Sequence, residues 1–529
     1  MNMTKQNISK PIIAAHLDFK GVQFRPDYFP QLFQDLASQR INAVLVEYED
    51  VFPFDEINVA FDKEVVWTRA DLDRFLELAR ENEIEVIPLQ QCLGHLEYVF
   101  RWNRYRHLAL DPAYPSTLHL AKDDAKALIL KMLEEVVAAH PDSRYVHLGM
   151  DEAHSLVLYA KEEKREVLEL FLQLLDELCA VCERHGKTPI IWSDMFEDHL
   201  TPNTLPRLKQ FKDRVVLCPW DYGSRGERIA VGRIAGFRAS KYWLEHPDDL
   251  LAPAISAGIE WIEEMAPDVR ELVAPYLEEH QFISMFQADL WASLGFEVLG
   301  ASGARVSGDG TILPLYVSRY ENIRAWSRAA QRAGILGQVA TSWARGTTFC
   351  APNFLFDLSW PQLGEMARTM GANPAPFFEE VAPATVERIV LSIGRCRDDW
   401  RIEAELLREM ERLRPQLQSH QYEWQSLILM LRVWERLRHA QFLGLEVSDF
   451  LAGLRLVDSE WGRRLRDQTE MLETLPQLRE EVRAHFSERY YGEVFEEWLR
   501  YLFDAPLTQV AAIHEISLQH EKAAGALHN

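Results

Sequence analysis

Basic residues are scarce in this 529-residue sequence: 57 Lys and Arg stand against 81 Asp and Glu, a net charge of −24. Nucleic acid needs a basic face to neutralise its phosphates, so it is excluded as a partner. A neutral small molecule is not. Cysteines number six and are scattered. Cys179 and Cys182 sit close together but fall within a helical pattern, with no second pair to complete a zinc site, so they read as two buried helix positions. No apolar run is long enough to span a bilayer, and no signal-peptide core follows the polar stretch Met1–Lys10. The expectation is a cytoplasmic protein with reduced thiols, no membrane association and no cofactor.

What is present is ordinary for a globular chain, with 47% hydrophobic and 26% charged residues,. Its length calls for a large domain and a second one. Apolar runs Pro11–Leu17, Ile41–Val46, Glu85–Leu89, Tyr145–Leu148, Pro189–Trp192, Val215–Pro219, Phe296–Ala304 and Gly337–Ser342 read as strands,. Helical patterns separate many of them: Tyr28–Gln39, Ala70–Glu81, Asp123–Ala139 and one long helix over Leu156–Cys182. Eight strands, each trailed by a loop and usually a helix, predict an α/β fold, a (β/α)8 TIM-type barrel over residues 1–365. A long insertion, Gly223 to Leu294, interrupts the pattern. Residues 366–529 show helical spacing with no strand runs, in Ile402–Leu413, Glu423–Leu443, Phe450–Leu472 and Leu478–Phe503, and predict an all-helical C-terminal domain.

The central stretch is Tyr145-Val146-His147-Leu148-Gly149-Met150-Asp151-Glu152-Ala153-His154. A short strand runs through a glycine into two adjacent carboxylates, at the carboxyl end of a barrel strand where chemistry is placed. Taken alone, the acid pair equally suits the N-terminus of the next helix. Its company tips the balance. Asp18, Asp50, His95, Asp194 and Asp221 stand at other strand ends, with Trp192, Trp220, Tyr222, Trp291 and Trp343 nearby. Aromatic faces for C–H groups and carboxylates for hydroxyls are what a sugar ring needs. Each has a plainer reading as well, the aspartates as helix caps and the tryptophans as packing between barrel and helices. His147 reads as a support for the loop more than as a catalyst.

His147-Leu148-Gly149-Met150-Asp151-Glu152 resembles the His-x-Gly-Gly-Asp-Glu signature of family 20 glycoside hydrolases, the β-N-acetylhexosaminidases, in their hexosaminidase D-like branch. Met150 stands where many relatives have a second glycine. The resemblance extends to Leu93-Gly94-His95, to Trp192-Ser193-Asp194-Met195 and to Trp343, the tryptophan that floors the pocket in relatives. It implies Asp151 and Glu152 as catalytic residues. It also implies substrate contacts from Asp18, Lys20, Asp50, His95, His147, Trp192, Asp194, Trp220, Tyr222 and Trp343, and no metal. Lys20 stands where relatives have an arginine, a looser donor than that rigid fork. Arg345 stands where many secreted relatives have an acid reading the sugar's outer hydroxyls, which leaves the sugar epimer open.

The implied reaction is retaining hydrolysis of terminal β-linked GalNAc or GlcNAc. Two acids on one loop can hardly straddle the scissile bond, so the substrate's own acetamide is expected to attack and form an oxazolinium. The expected partner is a small carbohydrate or glycoconjugate, with a homodimer left open. Two alternatives come from other classes. One is a metal-dependent barrel hydrolase using His147, Asp151, Glu152 and His154, against which no His-x-His ends the first strand. The other is a non-catalytic sugar-binding homologue.

Overall fold

The computed structural model describes residues 10–153, 155–230, 267–278, 281–306, 309, 312–346, 350, 352, 355–396, 400–451 and 458–527. His154 and residues 231–266 of the expected insertion lie outside the described residues.

Eight parallel strands close into a barrel: β1 (Ile12–Asp18), β2 (Ala43–Glu47), β3 (Glu85–Leu89), β4 (Tyr145–His147), β5 (Thr188–Trp192), β6 (Val216–Cys218), β7 (Glu297–Arg305) and β8 (Gly337–Ser342). Closure is made by β1 against β8, with Ile12 opposite Gly337 and Ala15 opposite Ala340. All eight expected strands are there, and the fold is a β/α barrel followed by a helical region. Continuous aliphatic runs suit such strands because both faces are buried. Alternation within each run decides which side chain faces where. Ile12, Ala14, Ala43, Leu45, Ile87, Leu89, Ile190, Val216, Leu299 and Val339 fill the interior in one cluster. Their neighbours Ile13, Ala15, Leu17, Val44, Val46 and Val86 pack outward into another.

Helices cover the outside, among them Phe29–Ser38, Arg69–Glu81, Asp123–Ala139, Val167–Arg184 and Tyr316–Ala333. Arg69–Glu81 starts where it does because Thr68 and Asp71 form a capping box, each side chain bonded to the other's backbone N–H,. Cys179 and Cys182 are buried free thiols on Val167–Arg184. Among the described residues no helix is long and apolar enough to cross a membrane.

Two expectations are corrected. The long helix over Leu156–Cys182 is two helices, Leu156–Glu162 and Val167–Arg184. Between them Lys164 takes a φ of +53°, which an α-helix cannot continue through,. The described part of the insertion is mixed, with helices Pro267–Val273 and Phe286–Ser293 beside a small antiparallel sheet of Arg228–Ala230, Gln281–Ile283 and Leu277–Glu278. In the tail the expected helix Ile402–Leu413 is present as Glu403–Leu413, but beyond it the division differs, into Gln421–Leu451, Asp458–Phe486, Glu493–Leu499 and Ala505–Leu527. The tail also contains a strand, Tyr490–Tyr491, paired antiparallel with Gln23–Phe24 just past β1. A two-residue strand completed by a distant partner leaves no period to detect.

Barrel and tail share one apolar cluster, in which Ile13, Leu17 and Phe24 join Trp424, Val482, Phe486, Tyr490 and Trp498. Charge is buried at this junction too. Arg489 meets Asp357 at 2.7 Å and Glu423 at 2.5 Å. Asp35, on Phe29–Ser38, accepts from Gln31 at 2.8 Å near His420, Glu423 and Arg489. Burial raises the Asp35 carboxyl from 3.8 to about 6, against the opposing pull of Gln31 and His420. A raised folded-state value means the folded form holds the proton more tightly. The stability this contributes is present below the unfolded value and is lost as pH rises through about 6,. Asp35→Asn is therefore expected to raise the melting temperature at pH 8, by relieving at most roughly 3 kcal/mol, and to change little at pH 4. Thermal scans of both proteins at the two pH values check this; an unchanged difference between them contradicts it.

Candidate active site

At the carboxyl ends of the barrel strands a cavity of about 210 Å³ is lined by Lys20, Glu47, Glu49, Gln91, His95, Glu97, Asp151, Glu152, Trp192, Trp220, Tyr222, Trp343 and Arg345, among others. The inward parity of the strands largely generates this set. Ala43 and Leu45 lead to Glu47 and Glu49, Ile87 and Leu89 to Gln91, and Val216 and Cys218 to Trp220 and Tyr222. Val339 and Thr341 likewise lead to Trp343 and Arg345.

The acid-bearing loop after β4 is held in an unusual backbone path. Gly149 has φ +66°, and a Cβ there would lie 1.9 Å from Gln91 Oε1. Met150 follows at φ +75° and Glu152 at φ +48°. Met150 thus occupies the left-handed region that favours glycine, and its wholly buried side chain packs in the core,. The turn aims Asp151 inward, where it is buried, and leaves Glu152 at 44% side-chain exposure. The Glu152 N–H donates to Asp194 Oδ2 at 2.9 Å.

His95, at φ +53°, bridges the pair. Its Nε2 is 3.3 Å from Asp151 Oδ2 and 3.4 Å from Glu152 Oε2. Burial disfavours the imidazolium, but the charge of Asp151, with hydrogen bonds to both acids, raises the ring well above its ordinary value. One oxygen of each acid and a His95 nitrogen lie within 4.8 Å of one another. Gly94 permits this, since a Cβ there would lie 2.5 Å from the Asp151 carbonyl oxygen.

Opposite stands a buried ion cluster. Lys20 Nζ reaches Asp18 at 2.8 Å and Glu47 at 2.9 Å, and lies 4.4 Å from the centre of the Trp343 ring. Gln91 Nε2 donates to Glu47 Oε1 at 3.0 Å. Burial alone would protonate Glu47, but Lys20 and then His16 hold it ionised, well below the carboxylate range. Glu49 goes the other way: burial, then the charge of Glu47, pushes it well above. The site therefore offers one anionic and one neutral acid two residues apart. Aromatic walls complete it. Trp192 lies 5.9 Å from Trp343, and Trp220 stacks on Tyr222 at 5.4 Å and 24°. Burial raises the Tyr222 phenol, against hydrogen bonds to the Trp343 and Thr341 side chains, so it stays a neutral donor.

Of the residues expected from the sequence, Lys20, His95, Asp151, Glu152, Trp192, Trp220, Tyr222 and Trp343 come together around this space. Asp18, Asp50, His147 and Asp194 are not among the residues that line this cavity. Asp18 bonds Lys20 and accepts from the Ala344 N–H at 2.7 Å. Asp50 accepts from the Phe61 N–H at 3.1 Å. His147 is wholly buried beside Trp192, accepts at Nδ1 from the Gly149 N–H, and is lowered to about 3 by burial. Asp194 holds Glu152 from behind, its carboxyl pushed up by burial and by the charge of Asp151. Trp291 is likewise outside, packed between Phe196 and Phe296. Among the described residues, which leave out His154, the metal-compatible group at this site comprises His95, Asp151 and Glu152 and not His147. Glu47, Gln91 and Glu97 line the cavity although their residue types did not mark them as site residues. Two of them, Glu47 and Gln91, continue the inward parity of β2 and β3, a signal carried by the alternation of those strands.

Residues 27–233, which hold the acid pair, match the model of the glycosyl hydrolase family 20 catalytic domain. The chain resembles the hexosaminidase D-like branch of family 20. It is 30% identical over 222 residues to hexosaminidase D of Bos taurus, across 40% of this chain and 62% of that protein. Against hexosaminidase D of Homo sapiens it is 30% identical over 220 residues, across 39% of this chain and 44% of that one. The matched region thus spans less than two thirds of either relative. Among solved structures, the chitobiase of Flavobacterium johnsoniae aligns over 96% of this chain and 72% of its own, at 14% identity and a TM-score of 0.46.

Proposed function

We propose that this protein is a glycoside hydrolase, a retaining exo-β-N-acetylhexosaminidase that removes terminal β-linked GalNAc or GlcNAc with the substrate's acetamide as nucleophile. The observation that carries the reading is the adjacent acid pair joined by His95 at the wall of one small cavity. An enzyme nucleophile and its acid partner must flank the anomeric carbon, about 5 Å apart on opposite sides. Consecutive residues on one loop suit a different division. Glu152, the more exposed of the two, delivers its proton to the glycosidic oxygen as the bond to the anomeric carbon breaks. The acetamido oxygen closes onto that carbon and forms the oxazolinium. Asp151, desolvated and beside His95, orients the amide and balances the positive charge that develops on it. Water then opens the ring from the face the leaving group vacated, and Glu152 takes its proton. Two inversions give retention. Trp192, Trp220 and Trp343 provide apolar faces for the ring, and the neutral Tyr222 phenol is the candidate donor to the acetamido oxygen.

Aryl N-acetyl-β-hexosaminides are expected to be hydrolysed and the matching plain β-glucoside and β-galactoside to be almost inert, since the latter lack the nucleophile. Equal rates on both would overturn the acetamide's role, and no turnover at all would favour a sugar-binding protein. A metal-dependent hydrolase is the second reading, because His95, Asp151 and Glu152 could together hold a cation,. Chelator treatment is expected to leave activity unchanged under the first reading and abolish it under the second.

A further inference from the structure

One cation of the cavity, Arg345, is paired with a carboxylate from the far end of the chain. Arg345 lines the cavity and is 5% exposed. It follows Trp343 on the inward parity of β8, one step further out along the strand direction. Its Nη2 lies 3.1 Å from Glu497 Oε2, on the tail helix Glu493–Leu499. Lys20 is differently placed, with both carboxylates supplied by the barrel itself.

The approach of Glu497 is not an isolated surface contact. The tail segment leading to it is fastened to the catalytic end of the barrel at several points. Tyr490 and Tyr491 pair with Phe24 and Gln23, directly beyond β1 and Lys20. The Arg25 N–H donates to the Arg489 carbonyl at 2.6 Å, and Arg25 Nε to that of Ser487 at 2.8 Å. Tyr490 Oη and Arg489 Nη1 both donate to Asp357, each at 2.7 Å. The Glu493 N–H donates to Asp62 Oδ2 at 2.7 Å. With its helix so fixed, Glu497 meets Arg345 at little cost in ordering.

We propose that the helical tail takes part in substrate recognition. Glu497 is a positioning residue that holds Arg345 at the cavity as a hydrogen-bond donor to the bound sugar, and Arg345 is a specificity-determining residue. This rests on the hexosaminidase reading and deepens it. The chemistry selects a neutral ring. A guanidinium donates several N–H groups to hydroxyl oxygens in a fixed fork. An anionic substituent would face Glu47, Glu97, Asp151 and Glu152 across the same small space,.

The test uses the full-length protein and the aryl N-acetylglucosaminide and N-acetylgalactosaminide. Glu497→Ala is expected to raise KM about ten-fold, to leave kcat within about two-fold, and to change the ratio of kcat/KM for the two sugars. Its melting temperature should stay put, because a half-exposed partner adds little to stability. Glu497→Asp should recover part of the loss. Arg345→Ala should raise KM further, and adding Glu497→Ala to it should change nothing more, since the two act as one unit. Hydrogen exchange over residues 343–346 should quicken in Glu497→Ala. An unchanged KM and sugar ratio in a turning-over variant, or full additivity of the two substitutions, overturns the proposal. Should the wild-type protein hydrolyse neither sugar, the hexosaminidase reading fails and sugar recognition with it. Unchanged exchange overturns the positioning role whatever the turnover.

Discussion

Glu152→Gln is expected to lower kcat on a disaccharide with a poor leaving group by about 10²- to 10⁴-fold, the usual worth of a positioned general acid, and to spare an activated aryl glycoside much of that loss. Glutamine keeps the shape of the side chain, and the backbone amide at this position is held by Asp194 whatever the side chain is. The substitution therefore removes the proton and replaces a charged partner of His95 with a neutral one. A nitrophenolate departs without protonation, whereas a sugar alkoxide does not, so the leaving group's own acidity reads out the missing proton. Steady-state kinetics on a series of aryl aglycones would show a steeper dependence on leaving-group acidity in the variant than in the wild type. Equal loss across the series would remove Glu152 from the role of acid and point to a binding defect.

The second large effect concerns Asp151. Asp151→Asn is expected to lower kcat by about 10²- to 10³-fold, comparable to losing one preorganised electrostatic contact at a developing charge. The amount alone does not identify the role, but its dependence on the substrate does. Successive fluorination of the acetamide makes its carbonyl less basic, so a wild type relying on that carbonyl slows with each fluorine. The variant has lost the charge that polarises the amide, and its slope should be flatter. Asp151 is buried and paired with His95, so the neutral amide leaves the imidazolium with one partner fewer, and the ring should deprotonate at a lower pH than in the wild type,. NMR titration of the His95 ring would follow this independently of turnover. Trapping with a fluorosugar, followed by mass spectrometry of the protein, tests the nucleophile directly. A sugar bound covalently to Asp151, or to any other carboxylate, would show that the nucleophile is the enzyme's own.

Much of the barrel was legible because its signals are local. All eight strands announce themselves as apolar runs ending in polar residues, and the structure shifts their ends by no more than two residues. The helix break at Lys164 was hidden because apolar spacing continues on both sides of a change that happens at one φ angle. Of the tail's helices Glu403–Leu413 was visible as a unit, and those after it as helical character only. Amphipathic spacing persists through Pro476, which sits inside Asp458–Phe486, and does not mark where a chain turns back. The candidate site was legible in part for the same reason. Residues such as Trp192, Trp220, Tyr222 and Trp343 extend the alternation of their strands, and so do Glu47 and Gln91, which residue type alone does not single out.

The sequence by itself determined the barrel class, the strand ends where chemistry gathers and the Asp151–Glu152 pair, because each is written in consecutive residues. Only the tertiary structure decided which strand-end residues share one space. Asp18, Asp50, His147 and Asp194 resemble the others in sequence, yet they are not among the residues that line the cavity. His95 is brought to both acids by the close approach of two loops. Arg345 and Glu497, 152 positions apart, meet because a helix beyond the barrel docks on its catalytic end. Residue type and spacing report what a side chain can do. Its partner depends on register, on loop path and on where the tail packs, and those are settled by the burial of surfaces far apart in the chain.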